Sequence, residues 1–298
     1  MRFDAKRPVA VVTGASAGIG ESTARKLVEL GWRVIGVGRD PERSAQAATR
    51  IAAAVRDGGG FTMVRGDFTL MSEVERVVAE IGTRTAHIDV LINNAGGVRD
   101  RRIVTAEGTE ATFAANHLAP FLLTRELTPL LAASSTGSAR VIAVSSSAHR
   151  ISRGFDWDDL QSLRDFDSVV AYGQAKLANI LFTRELARRA GRDGIVAQVM
   201  HPGVVASNFA SHGNAAMRAH MAAADTVSPD EPAETLVWLA TEAEGGRDGG
   251  RYFHRKAEEA PAPAAQDDAA AARLWAASET LLTEIGYPAH LVDENYNR

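Results

Sequence analysis

Thr13-Gly14-Ala15-Ser16-Ala17-Gly18-Ile19-Gly20 decides how this chain is read. Before it, residues 9–12 form a short β-branched run. After it, residues 21–30 carry Ala24, Leu27, Val28 and Leu30 at helical spacing, and Gly31 ends the segment. A strand, a glycine turn and a helix in that order can cradle a dinucleotide pyrophosphate. Gly14 lets the chain turn sharply, Gly18 lets the backbone approach a phosphate with no Cβ in the way, and Gly20 lets the helix pack close to the strand. The helix N-terminus then offers N–H groups and a positive dipole to the anion. A glycine-rich turn alone is weak evidence, and its place between a strand and a helix strengthens it.

Working outward, apolar runs at 33–37, 61–65, 88–92, 140–144 and 195–200 read as strands, with a last short one at 251–253. Helical spacing is read at 42–56, 72–84, 107–133 (bent before Pro120), 171–189 and 231–241. Strands alternating with helices predict one α/β domain over residues 1–298, a Rossmann fold. Its sheet is a doubly wound parallel one of about seven strands, with helices on both faces. Residues 258–298 read as an Ala/Pro-rich linker (258–266) followed by an amphipathic C-terminal helix, 267–285, with Leu274, Trp275, Leu281 and Leu282. That helix is either a cap on the domain or a subunit contact.

Composition narrows the function. Of the 298 residues 45% are hydrophobic and 23% charged, as in a globular protein with a full core. A net charge of −4 with mixed signs speaks against nucleic acid as a partner. Cysteine is absent, which removes disulfides and thiolate chemistry and fits a cytoplasmic protein. The first residues lack a signal-peptide core, and no apolar run approaches the ~20 residues of a membrane helix. The Ala, Gly and Arg content points to a GC-rich bacterial genome. His149 and His212 lack partners at ligand spacing, so no metal site is expected.

A second segment carries chemistry. Tyr172 and Lys176 stand four residues apart in the 171–189 helix, one turn apart on one face. A free phenol has a pKa near ~10, and a neighbouring ammonium lowers it toward the range of a general acid. A phenol and a cation beside a nicotinamide pair a proton donor with a hydride donor. In isolation the pair could equally be a common surface contact.

The glycine spacing differs from G-x-G-x-x-G and resembles that of the short-chain dehydrogenase/reductase family. Further motifs of that family stand in the right order. They are Asn93-Asn94-Ala95-Gly96, Asn116, Ser145-Ser146-Ser147, Tyr172-x-x-x-Lys176 and Pro202-Gly203. Within the family, 144–149 (Val-Ser-Ser-Ser-Ala-His), 176–182 (Lys-Leu-Ala-Asn-Ile-Leu-Phe) and 201–205 (His-Pro-Gly-Val-Val) resemble the retinol dehydrogenase and WW-domain oxidoreductase branch. The chain starts without the N-terminal membrane helix of many animal members, which implies a soluble relative.

The resemblance implies roles. Tyr172 would exchange a proton with the substrate oxygen while hydride passes between nicotinamide and carbonyl carbon. Ser146 would hold that oxygen, the register among the three serines being open. Lys176 would also hold the nicotinamide ribose, and Asn116 would fix a water linking Lys176 to solvent. The implied cofactor contacts are Gly14, Ser16, Ala17, Gly18, Ile19, Gly20, Asp67, Phe68, Asn94, Ala95, Gly96, Pro202, Gly203 and Val205. Gly38 stands where NAD-preferring relatives carry Asp, and Arg39 follows. The reading is therefore NADP(H) ahead of NAD(H). Asp40 could pair with Arg39 or Arg43.

Substrate is expected beyond the carboxyl ends of the strands, where the loops are 97–105, 147–169 and 204–228. Ser146, His149, Phe155, Tyr172 and Phe209 are its candidate contacts, with Trp157, Met217 and Met221 nearby. This suggests a lipophilic ketone or aldehyde, polycyclic or polyketide-like, or the matching alcohol. A homodimer through the long helices after the fourth and fifth strands is a further expectation. The competing readings are a catalytically silent nucleotide sensor, an NAD-dependent alcohol dehydrogenase and a sugar-nucleotide epimerase or dehydratase.

Overall fold

The computed structural model describes residues 7–206 and 213–289. Its strands are β1 (Val9–Thr13), β2 (Arg33–Gly38), β3 (Gly60–Arg65), β4 (Val90–Asn93), β5 (Ala139–Val144), β6 (Ile195–Met200), β7 (Tyr252–His254) and β8 (Ala257–Glu258). They form one sheet in the order β3-β2-β1-β4-β5-β6-β7-β8. Neighbours from β3 to β7 run parallel, and only β8 turns back antiparallel on β7. The order reverses between β1 and β4, so their carboxyl ends splay a crevice there. The eighth strand is absent from the sequence reading; two residues carry no period-2 pattern.

The helices are α1 (Gly18–Glu29), α2 (Pro41–Ala53), α3 (Met71–Arg84), α4 (Ala111–Phe113), α5 (Ala119–Ala132), α6 (Ser168–Ala190), α7 (Ala215–Ala223), α8 (Asp230–Thr241) and α9 (Asp268–Glu284). Alternate residues of β1 face opposite layers. Val9 and Val11 pack with Val74, Leu122 and Ile180, whereas Ala10 and Val12 pack with Leu27, Ile51 and Leu236. Both layers are apolar, and the strands of the sheet's centre are correspondingly buried along their length.

Local chemistry sets the helix starts. Asp40 caps α2 by accepting from Arg43 N at 2.8 Å, with Pro41 in the first turn. Asp167 caps α6, accepting from Val169 N and Val170 N, and this places the start at Ser168, ahead of the expected 171. The expected 107–133 helix is two helices joined by a π-turn, Ala114–Leu118. Pro120 has no N–H to give the Asn116 carbonyl, and the chain takes the wider turn just before it. α7 lies inside the segment expected as a loop, 204–228. The linker 258–266 holds β8 at its start and a 3-10 turn, Pro263–Gln266, at its end.

α9 packs on α6 and α5. Trp275 stacks on Phe182 (centroids 5.8 Å apart) and meets Phe121 edge-on at 4.7 Å. Ser278 hydrogen-bonds buried His117 at 2.7 Å, and Arg125 pairs with Glu279 at 2.7 Å. The helix is thus seated on its own domain.

Candidate active site

The glycine turn joins β1 to α1. Gly14 (φ 71°) and Gly18 (φ 56°) both occupy the left-handed region. Thr13 Oγ1 accepts from Asn94 N and Ala95 N at 3.0 and 2.9 Å, and Asn94 Nδ2 donates to Thr13 O at 2.8 Å. These bonds lock the ends of β1 and β4 together. A Cβ on Gly20 would overlap the Gly14 carbonyl and stand 2.6 Å from Asn94 Nδ2. Ala17, at the N-cap of α1, makes no side-chain capping bond. The first N–H groups of the helix therefore remain available to an anion.

A cleft of ≈ 510 Å³ opens over this turn. Gly14, Ser16, Ala17, Gly18 and Ile19 line it, with Arg39, Asp67, Phe68, Asn94, Ala95 and Gly96. The structure thus gathers segments that are far apart in sequence onto one groove. Gly20 lies beneath the turn. Pro202 lines a separate small crevice with His201 and His254. Gly203 (φ 76°) donates its N–H to His201 Nδ1 at 3.3 Å. Val205 is buried in a bridge to Val227, and the neighbouring Ala206 reaches the cleft instead. Arg43, Thr69, Arg99, Ala206 and Pro229 also line the groove. None of them is named singly as a site residue by the sequence: Arg99 and Ala206 fall in loops expected over the site, Arg43 enters as a partner for Asp40, and Thr69 and Pro229 belong to no motif.

The open turn, the uncapped start of α1 and the cleft over them fit a dinucleotide. At Gly38 a Cβ would stand 2.5 Å from Ser44 Oγ and 2.9 Å from Ser16 Cβ. No acidic side chain can be carried there without moving both serines. Asp40 is taken by its cap on α2 and by Arg43 at 3.6 Å, so it is Arg43 and not Arg39 that it pairs with.

Beside the cleft the three serines separate. Ser145 is buried and donates to Lys176 O at 2.8 Å. Ser147 is exposed. Ser146 accepts from Ala148 N at 3.2 Å and hydrogen-bonds the Tyr172 phenol. Lys176 Nζ donates to Val144 O at 3.0 Å and lies 5.6 Å from the centre of the Tyr172 ring. The same Nζ stands 3.4 Å from where a Cβ of Gly96 would be, which puts it against the cleft wall. Asn116 spends its amide on the loop after β4: Nδ2 donates to Gly97 O and Thr112 O, both at 2.7 Å, and Oδ1 accepts from Gly97 N at 3.1 Å.

Burial moves the two ionisable groups apart. It pushes the Tyr172 phenol well up, with the Ser146 hydrogen bond offsetting part of the shift. It brings Lys176 down to about 8. The expected lowering of the phenol by Lys176 is not what this geometry gives. Loss of solvent around the phenol dominates, and only the Ser146 hydrogen bond works against it.

The substrate contacts are revised. His149 is fully buried: Nδ1 donates to Ser146 O at 2.7 Å, and Nε2 accepts from Ala262 N at 3.0 Å. Both ring nitrogens are used, so His149 is not a polar point in a substrate pocket. It ties the Ser146 turn to the C-terminal segment. Phe155 packs on Trp157 (5.2 Å) and on the α5–α6–α9 core, and Arg273 of α9 lies over Trp157 at 4.3 Å. Phe209 and His212 lie outside the described residues. Among the described residues, His201, His254 and Glu259 form the one group of side chains close enough to suggest metal ligands. The two rings stack face to face at 4.0 Å, so their in-plane lone pairs run side by side and do not converge on a common ion.

With this geometry in view, the likeness to known proteins is specific. The short chain dehydrogenase family profile matches residues 8–218. The chain belongs to that family and is an oxidoreductase whose groove takes a nicotinamide cofactor. It is 35% identical over 289 residues to retinol dehydrogenase 14 of Homo sapiens, covering 91% of this chain and 85% of that one. Polyprenol dehydrogenase of Mus musculus is 34% identical over 276 residues, covering 90% of this chain and 82% of its own. Among solved structures, the Pseudomonas aeruginosa RhlG/NADP active-site complex superposes with a TM-score of 0.66 at 28% identity. It covers 83% of this chain and 93% of that one. No helix among the described residues is long and apolar enough to cross a membrane.

Proposed function

We propose that the protein is an NADP(H)-dependent carbonyl reductase that reduces a ketone or aldehyde of a lipophilic small molecule, or oxidises the matching alcohol. One observation carries this reading: the Tyr172 phenol, bonded to Ser146, sits one helical turn from Lys176, whose ammonium reaches the wall of the dinucleotide groove. The cofactor, when bound, supplies or accepts the hydride. Tyr172 gives its proton to the substrate oxygen in reduction and takes it back in oxidation. Ser146 donates to that oxygen and stabilises the charge that develops on it. Lys176, already held near 8, favours the phenolate form whenever the ammonium is charged. Asn116 holds the loop at Gly97 in place through its side-chain amide.

The choice of NADP(H) is supported by the filled space at Gly38 and by the guanidinium of Arg39 on the groove. The lipophilic substrate is supported by Ile151 and Val170. They are large apolar side chains left exposed on the turns that carry Ser146 and Tyr172. The names of the retinol and polyprenol relatives point the same way.

Steady-state turnover of a panel of lipophilic ketones and aldehydes with NADPH and NADH tests this. The Tyr172→Phe protein is expected to lose at least about a thousandfold in kcat while still binding NADPH. Near wild-type turnover by that variant would sink the proton-donor role, and a preference for NADH would sink the cofactor assignment.

A further inference from the structure

The groove carries more positive charge where β2 and β3 end than a pyrophosphate-binding turn requires. Arg39 follows β2 and Arg99 sits in the loop after β4, yet both line the same cleft. Among the described residues neither has a carboxylate within salt-bridge distance, whereas Arg43 is paired with Asp40 at 3.6 Å. The Arg99 guanidinium makes a single hydrogen bond, Nη1 to Val98 O at 3.2 Å, and its side chain is half-buried. Its backbone is anchored, with Ser168 Oγ donating to Arg99 O at 2.6 Å from the first turn of α6. Burial, and then the like charge of Arg39, hold this guanidinium below the usual arginine range; Asp67 and Glu110 offset that only in part. A half-buried guanidinium and an exposed one sharing one groove call for an anion of more than one charge, and a phosphomonoester matches the guanidinium fork.

We propose that Arg99 is a second specificity-determining residue for the cofactor, closing with Arg39 on the 2′-phosphate of its adenosine. The inference rests on the NADP(H) reading above. The pyrophosphate has its own place at the first turn of α1, leaving this pair of cations for the second phosphate.

Isothermal titration of the full chain with adenosine 2′,5′-bisphosphate and with 5′-AMP separates the possibilities. The wild type is expected to prefer the bisphosphate. Arg99→Gln is expected to cut that preference by about tenfold or more while AMP affinity stays within about threefold. Arg99→Lys, which keeps the charge and loses the fork, is expected to cut it less, and it stands in if the glutamine variant fails to fold. If Arg99→Gln keeps the preference while Arg39→Gln loses it, this inference is overturned and the NADP(H) reading survives. Equal weakening of both ligands by Arg99→Gln also overturns it, since Arg99 would then hold the common part of the ligand. A wild type that binds the two alike overturns both.

Discussion

The dinucleotide groove and the C-terminal cover are built by opposite means. In the groove the decisive contacts involve backbone: Thr13 and Asn94 bond main-chain groups of each other's strand end, and Gly20 and Gly38 matter for the side chains they lack. In the cover the decisive contacts are side chains that meet across great sequence distance, His149 with Ala262 N, His117 with Ser278 and Arg125 with Glu279. The first kind of construction is brittle at single atoms. The second distributes its stability over pairs that are each worth little.

The largest effects are therefore expected in the groove. Gly20→Ala places a methyl on the Gly14 carbonyl and against Asn94 Nδ2, groups that cannot give way without opening the β1–β4 lock. Overpacking of this kind costs about 1–3 kcal/mol, and cofactor affinity is expected to fall by more than the stability alone explains. Gly38→Asp is the more telling variant. Placing an acid at this position to favour NAD(H) is expected here to weaken both cofactors, because the carboxylate must displace Ser44 and Ser16 first. A clean switch to NAD(H) by Gly38→Asp, measured by titration with each cofactor, would break the contrast drawn between the two regions.

The intermediate effect separates the regions by pH. Among the described residues no histidine lines the groove, whereas the cover depends on His117 and His149, both buried and both held below their ordinary value by loss of solvent. His117 is brought down to about 3. The unfolded chain takes up a proton at this residue below about pH 6.5, and the folded chain does not until near 3. Stability is thus full above 6.5 and falls as pH drops through that window, by roughly 2 kcal/mol for His117 at pH 5. His149 adds in the same direction, because its Nε2 must stay unprotonated to accept from Ala262 N. Thermal unfolding between pH 5 and 7.5 checks the slope, and His117→Leu is expected to flatten it even if it lowers the plateau. An unchanged slope in that variant would remove His117 from the account.

This division also explains what could be read from the residues alone. The α/β class, the strands from β1 to β7 and the groove residues 14–20 follow from glycine placement and apolar periodicity, which act within a few residues. The Tyr172-Lys176 pair was legible for the same reason, being fixed by one helical turn. Ser146 could not be told from Ser145 and Ser147 by pattern, because only the approach of α6 claims Ser145 through Lys176 O. His149 was misread as a substrate contact because its partner, Ala262 N, lies far along the chain in a segment that reads as linker. Arg99 carried no signal beyond its basic character, since its meaning depends on the loop after β4 bringing it to the cleft that Arg39 also lines. The direction of the Tyr172 shift was misjudged on the same ground, burial being a property of the assembled site.

The smallest effect concerns the most visible ion pair of the cover. Arg125 Nη1 meets Glu279 at 2.7 Å, and the same guanidinium bonds Glu126 and the carbonyls of Tyr287 and Pro288. Both partners are largely covered, Arg125 at 14% and Glu279 at 25% exposure. A pair at the protein surface is worth about 0–1 kcal/mol. Part of the Arg125 contribution goes to backbone carbonyls that Glu279 does not share. A double-mutant cycle of Arg125→Met and Glu279→Gln is accordingly expected to give a coupling of about 0.5–1 kcal/mol. Arg125→Met alone should cost more than Glu279→Gln, because it also removes the bonds to the Tyr287 and Pro288 carbonyls. A coupling several times larger would mean that α9 is held by one strong electrostatic contact. The cover would then share the groove's sensitivity to a single residue, and aromatic packing of Trp275 on Phe121 and Phe182 would no longer suffice to explain its seat.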